Sequence, residues 1–172
     1  MSGRDADGYR RTPVPGPTLR TDIVEVYVFR AARAGVELLQ VRRARPPMAG
    51  GWHPLMGHIE PGESAVGCAT REILEEVGLG RSDSEWLGFW QLEGVHPYYL
   101  AAADSVVLSP CFAVRASPGW APRLNEEHDG HRWVSAEGIE EAFMWPGQRA
   151  AAAEVAQVIA PGGAAADRLG LG

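Results

Sequence analysis

The chain predicts an α+β fold, a mixed β-sheet sandwiched between α-helices. Three observations carry that expectation. The run Ile23-Val24-Glu25-Val26-Tyr27-Val28-Phe29 is β-branched and aromatic enough for a buried strand. Val66, Thr70, Ile73 and Val77 recur at helical spacing on one stripe. Strands and helices then alternate irregularly, which suits a mixed sheet with helices on both sides better than a doubly wound one.

In order along the chain, residues 1–20 are rich in Gly, Pro and Arg without periodicity, and are read as a flexible arm. Residues 21–160 are read as one domain. A turn at Ala34-Gly35 joins the first strand to a hairpin partner over 36–41. A basic loop over 42–51 follows, then a short extended piece over 52–57. The helix spans 64–77 and stops at Gly78-Leu79, where glycine takes the left-handed cap and leucine folds back. Further strands are expected at 86–92, 105–114 and 131–134. Pro146 opens a last helix to about residue 159, with Ala151, Val155 and Val158 inward. The Gly/Ala-rich segment 161–172 is read as a disordered tail.

At 172 residues and 45% hydrophobic content the chain has a core of its own and needs no disulfide staples. Cys68 and Cys111 are read as reduced, buried thiols. A formal charge of -6 gives no field for a nucleic-acid duplex. All 16 cationic residues are arginine, which excludes lysine Schiff-base chemistry and leaves arginine for phosphate contacts. No apolar run approaches the ~18–20 residues that span a bilayer. No signal peptide is recognised, and the expected location is cytoplasmic, without a membrane partner.

Glu72, Glu75 and Glu76 fall within roughly a 100° arc of the predicted helix. Like charges there repel, and the helix's carboxyl end disfavours anions. Arg71 is the local compensation. Hard divalent cations would explain the arrangement, since Mg²⁺ and Mn²⁺ take oxygen ligands; a solvated acidic face is the bland alternative. The surrounding residues, from Gly57-His58-Ile59-Glu60-Pro61-Gly62-Glu63 through Arg71-Glu72-Ile73-Leu74-Glu75-Glu76-Val77-Gly78-Leu79, spell G-x(5)-E-x(7)-R-E-U-x-E-E-x-G-U with U aliphatic. Every specified position is filled, and the chain resembles the Nudix hydrolase superfamily.

The resemblance implies a Nudix fold and a Mg²⁺ (or Mn²⁺) cofactor. It makes the Gly57 carbonyl and the side chains of Glu72, Glu75 and Glu76 metal-ligand candidates. Glu63 and Arg71 look like the family's pair bracing loop against helix. The segment around Glu126-Glu127-His128 resembles that of dihydroneopterin triphosphate pyrophosphatases. This selects Glu127 as a further ligand or as the base, a role shared as alternatives with Glu76. His128 and His131 are not read as a zinc pair, with no cysteine near them.

A guanidinium fork suits phosphate oxygens, so Arg42, Arg43 and Arg45 are candidates, Arg43 first. Trp52, His53 and His58 flank the same loop; Trp52 and His58 are substrate-binding candidates, with a core role as the alternative for Trp52. Leu55-Met56-Gly57 stands where many members have Pro-Gly-Gly, and in this non-proline loop the chain is similar to the dihydroneopterin triphosphate enzymes.

The expected activity is hydrolysis of a small phosphorylated molecule, a nucleoside or pterin triphosphate, to monophosphate and pyrophosphate. Alternatives are hydrolysis of ADP-ribose or a dinucleoside polyphosphate, a prenyl diphosphate isomerase using Cys68, and a non-catalytic nucleotide-binding module. The sequence leaves a homodimer open.

Overall fold

The computed structural model describes residues 16–172. Among the described residues there are ten strands: β1 (Thr18–Arg20), β2 (Ile23–Ala32), β3 (Gly35–Arg43), β4 (Trp52–His53), β5 (Leu55–His58), β6 (Trp86–Gln91), β7 (Tyr98–Leu100), β8 (Ser105–Val107), β9 (Cys111–Ala116) and β10 (His128–Ser135). Helix α1 (Ala65–Val77) lies between β5 and β6, and α2 (Ile139–Ala142), α3 (Pro146–Glu154) and α4 (Ala164–Leu169) follow β10.

The main sheet runs β10-β3-β2-β9-β6, with β4 paired to β3 and β5 to β2. It is mixed: β2 is antiparallel to β3 and β5 and parallel to β9. The strand period sorts β2 onto two faces. Val24, Val26 and Val28 pack with Cys68, Ala69, Ile73 and Val77 of α1. Tyr27 and Phe29 pack with Phe143, Ala151 and Val155 on the other side. Helices therefore cover both faces of the sheet, and the chain has the mixed-sheet α+β architecture.

Several boundaries differ from expectation. Of the arm, residues 1–15 lie outside the described residues, whereas Thr18–Arg20 forms β1, parallel to β8 in a small sheet β1-β8-β7. The strand expected over 105–114 is two strands in two sheets, β8 and β9, with Pro110 between them. Proline has no N–H for a ladder, so the run breaks there. Helix α3 continues as a π-helical stretch over Val155–Ile159, whose extra residue rotates the face so that Ile159 is buried in place of Val158.

The segment read as a disordered tail is structured. Helix α4 buries Ala166, and Leu171 donates its N–H to Phe89 O at 2.8 Å. Composition alone suggested a tail, but Leu169 packs on the α3 side of the sheet and Leu171 on the α1 side, straddling β6. Those two anchors supply the apolar burial that the Gly/Ala content concealed.

Helix α1 starts at Ser64, whose Oγ accepts from Gly67 N–H at 3.1 Å, and ends at Gly78 with φ 70°. Leu79 folds back, its N–H donating to Ile73 O at 3.4 Å, and is fully buried. Ser64→Ala is expected to cost about 1 kcal/mol through the lost cap, which urea unfolding monitored by circular dichroism would measure.

Candidate active site

The helical period gives the three α1 carboxylates unequal surroundings. Side-chain exposure is 55% for Glu75, 13% for Glu72 and 4% for Glu76. The arc of Glu72, Glu75 and Glu76 is therefore not set against the apolar stripe: its inner edge, Glu76, is on the buried face beside Ala69, Ile73 and Val77. The buried stripe is rotated from the expected one, leaving Val66 and Thr70 half-buried and bringing Cys68 and Ala69 inside.

Arg71 is the hub of the outer carboxylates. Its Nε and Nη2 donate to the two oxygens of Glu63, both at 3.0 Å, closing a bidentate fork. Nη1 donates to Glu72 at 2.8 Å and to Glu75 at 3.2 Å, and Nη2 also donates to the His58 carbonyl at 3.0 Å. One guanidinium thus ties the 58–63 loop to α1. The same contacts hold the Glu63 carboxyl below its ordinary pKa.

Gly57 on β5 sits against Glu72. A Cβ at Gly57 would overlap the Glu72 carboxylate, so only glycine lets that carboxylate reach the main chain there.

Glu76 has a different environment. Its Oε2 is buried without a hydrogen-bond partner, and burial, with Glu72 and Glu127 nearby, pushes its pKa up to about 9. His128 Nε2 is 3.9 Å away, beyond hydrogen-bond reach. Burial, with His53 and Arg43 nearby, pushes the His128 pKa down to about 4, so at neutral pH the two groups are a protonated acid beside a neutral imidazole rather than an ion pair.

Asn125 fixes the loop that carries Glu127. Its N–H donates to the Glu76 carbonyl at 3.3 Å, while its Oδ1 accepts from Glu127 N–H at 3.1 Å and lies 3.2 Å from His128 Nδ1. Glu127 pairs with Arg43 at 2.8 Å, Asp129 with Arg42 at 2.7 Å and Glu126 with Arg45 at 3.2 Å. All three arginines of the basic loop are thus matched to one acidic segment. Exposed pairs of this kind contribute roughly 0–1 kcal/mol each.

These elements border a cavity of about 1200 Å³. Gly57, His58, Arg71, Glu72, Glu76 and Glu127 all line it, as does Arg43. Glu63 and Glu75 do not; they meet at Arg71 behind the wall. Trp52 is likewise absent from the wall, contrary to its reading as a substrate contact. It lies under the Arg132 and Arg42 guanidinium groups, 4.6 and 5.7 Å from the ring centroid. Successive residues of β4 face opposite ways, so its neighbour His53 takes the cavity position. His53, half-buried with its Nε2 atom enclosed and unpartnered, and Asn125 are the residues given too little weight from sequence. A histidine beside the motif loop was their only signal.

The donor set fits a hard divalent cation. It is all oxygen, and one buried carboxylate oxygen has no protein partner. Among the described residues no three His, Cys, Asp or Glu side chains are already converged on one point. Glu72 and Glu75 are turned to Arg71 and Glu127 to Arg43, so occupancy requires exchanging those contacts. Cys68 and Cys111 are free and buried, and burial pushes the Cys68 thiol up to about 12, which leaves little thiolate at neutral pH. No helix among the described residues is long and apolar enough to cross a membrane.

A pH dependence follows. In the metal-free protein the folded Glu76 carboxyl titrates near 9, above its ordinary 4.5. The native state therefore holds a proton that the unfolded chain has released, and stability falls as pH rises toward 9. His128, depressed to about 4, acts oppositely below its ordinary 6.5, so the uncompensated window is pH 6.5 to 9. Urea midpoints in a chelator should decline across that window in the wild type and stay flatter in Glu76→Gln.

A family model described as NUDIX domain matches residues 19–155. An octanoyltransferase of Myxococcus xanthus is 33% identical over 135 residues, 77% of this chain and 35% of that protein. The asymmetrical bis(5'-nucleosyl)-tetraphosphatase of Mus musculus is 31% identical over 91 residues, 53% of this chain and 58% of that protein. The chain thus spans about a third and somewhat over half of the lengths of these two relatives. Among solved structures, the E. coli dihydroneopterin triphosphate pyrophosphohydrolase superposes with a TM-score of 0.64 at 18% identity, covering 77% of this chain and 94% of that one. At that identity the likeness is one of fold.

Proposed function

The chain belongs to the NUDIX family, and from that premise we propose that it is a divalent-cation-dependent pyrophosphohydrolase of a nucleoside or pterin triphosphate. The observation that carries this reading is the Glu76 carboxylate, buried and unpartnered at the wall of a cavity that Glu72 and Glu127 also line. A group so placed destabilises the empty fold and is retained where it has work to do.

Glu72, Glu76, Glu127 and the main chain at Gly57, joined by Glu75 once it leaves Arg71, would hold Mg²⁺ or Mn²⁺. The cation supplies charge neutralisation at the phosphate oxygens and a more acidic water. Hydrolysis adds water oxygen to one phosphorus and breaks the bridging P–O bond, so that pyrophosphate leaves. The water's proton passes to a carboxylate, Glu76 or Glu127, both of which face the cavity. Arg43, already at the wall, offers its guanidinium to a phosphate oxygen. Arg71 touches no reacting atom; it positions Glu72 through the bonds described above.

One observation favours a second reading. At about 1200 Å³ the cavity exceeds the ~300–1,000 Å³ usual for small-molecule sites. A dinucleoside polyphosphate or ADP-ribose would use that space.

The test is product analysis with Mg²⁺ in ¹⁸O-water, using dATP, dGTP, dihydroneopterin triphosphate, ADP-ribose and a diadenosine polyphosphate. Pyrophosphate and monophosphate from a triphosphate are expected. Cleavage confined to ADP-ribose or the dinucleotide moves the assignment to the second reading. Survival of every compound at high enzyme concentration overturns both.

A further inference from the structure

The cavity has a second polar wall that the hydrolytic chemistry leaves unused. Glu25 lies on β2 opposite Met56 of β5 and Cys111 of β9, and all three line the cavity. The residue is 8% exposed, and its carboxylate accepts the Tyr27 hydroxyl at 2.6 Å on Oε2. Two more buried polar groups line the same cavity. Ser109, between β8 and β9, is 2% exposed, and Gln148, in the first turn of α3, is 4% exposed. Neither Ser109 Oγ nor Gln148 Oε1 has a hydrogen-bond partner. The aromatic side chains of Tyr98 and Trp145 line the cavity too, 39% and 51% exposed.

A buried polar atom left unsatisfied carries an uncompensated desolvation cost, so two lining one cavity mark a place where a ligand completes the bonding. Their chemistry specifies the complement. Gln148 Oε1 accepts, the second oxygen of the Glu25 carboxylate accepts, and the Ser109 hydroxyl can donate. That set matches a heterocycle edge bearing adjacent N–H donors and one carbonyl acceptor. The 2-amino-4-oxopyrimidine edge, common to guanine and pterin, is such an edge. Adenine presents an amino group next to a ring-nitrogen acceptor, which would leave a Glu25 oxygen opposed to a lone pair. Partly exposed aromatic side chains lining the same cavity suit a flat ring.

We propose that Glu25, Ser109 and Gln148 form the base-recognition wall of this enzyme and select a 2-amino-4-oxopyrimidine ring. The inference rests on the hydrolase reading for where the phosphates go: they lie at the α1 carboxylates and the ring at Glu25. Burial raises the Glu25 pKa, and N–H donors from a ring favour its ionised form as the Tyr27 hydroxyl already does.

Two measurements separate this inference from the hydrolase reading. The first is kcat/KM for dGTP, dihydroneopterin triphosphate and dATP in the wild type, Glu25→Gln and Gln148→Met. The wild type is expected to favour dGTP or the pterin over dATP by at least about tenfold, and Glu25→Gln to cut that ratio by roughly 10- to 100-fold. The relative rates of the two favoured compounds identify which ring is the substrate's. The second is calorimetric binding of guanosine, neopterin and adenosine, which carry no phosphate. Selective binding of guanosine or neopterin that Glu25→Gln weakens, without turnover of any triphosphate, supports the wall and overturns the hydrolase reading. Turnover of dATP and dGTP at equal kcat/KM, with ratios unmoved in both variants, overturns the wall and leaves the hydrolase standing. Should Glu25→Gln fail to fold by circular dichroism, Gln148→Met decides on the same ratios.

Discussion

Glu76→Gln is expected to lower kcat by about 10³-fold or more on the phosphoanhydride that the proposed hydrolase cleaves. The substitution keeps shape and removes charge, so its effect on folding and on chemistry should part ways. The carboxyl it replaces is buried and unpartnered, with its pKa pushed up to about 9. The metal-free variant should therefore melt no lower than wild type, and higher at pH 8, where the wild type bears the cost of keeping Glu76 protonated. Affinity for Mn²⁺, read by electron paramagnetic resonance, should fall alongside activity. A variant that retained both turnover and Mn²⁺ affinity would remove Glu76 from the site.

Gly57→Ala is the second large effect, and its origin is steric. The new Cβ would occupy space held by the Glu72 carboxylate, which Arg71 fixes from the other side. Either Glu72 leaves its position or β5 shifts away from Val24, its partner on β2. Overpacking of this kind costs about 1–3 kcal/mol, and loss of the Glu72 position should reduce turnover by a further 10²-fold or so, in line with a misplaced catalytic group. Melting temperature and steady-state kinetics of the purified variant check both parts. Unchanged values for both would mean that the Glu72 carboxylate has a second, equally good resting place.

Both expectations rest on residues whose types are visible in sequence, yet their geometry is only partly so. The spacing of Gly57, Glu63, Arg71, Glu72, Glu75 and Glu76 is local, set by one loop and one helix, and could be projected on a helical wheel. The burial of Glu76 depends on how the helix rolls against the sheet, which comes from packing of Ala69 and Cys68 rather than from periodicity alone. Arg43 and Glu127 meet because β3 and β10 are neighbours in the sheet, with His128 opposite Arg43. Such a pairing joins distant parts of the chain. That Trp52 lies off the cavity wall is illegible for a simpler reason: in a strand as short as β4 there is no alternation to read. Glu25 stands within an otherwise apolar strand, and only the surrounding sheet gives it a cavity to face.

The segment after α4 affects how the molecule behaves in company with its own copies. Strand β6 is the outermost strand on its side of the main sheet, and such a strand offers free N–H and carbonyl groups to any other exposed strand. Gly170 bridges Trp90, and Leu171 bonds to Phe89. These contacts occupy part of the strand's outer bonding row, while Leu169 and Leu171 grip opposite sides of the sheet. A stretch of chain that looks dispensable from its composition thus guards against sheet-to-sheet aggregation at that edge.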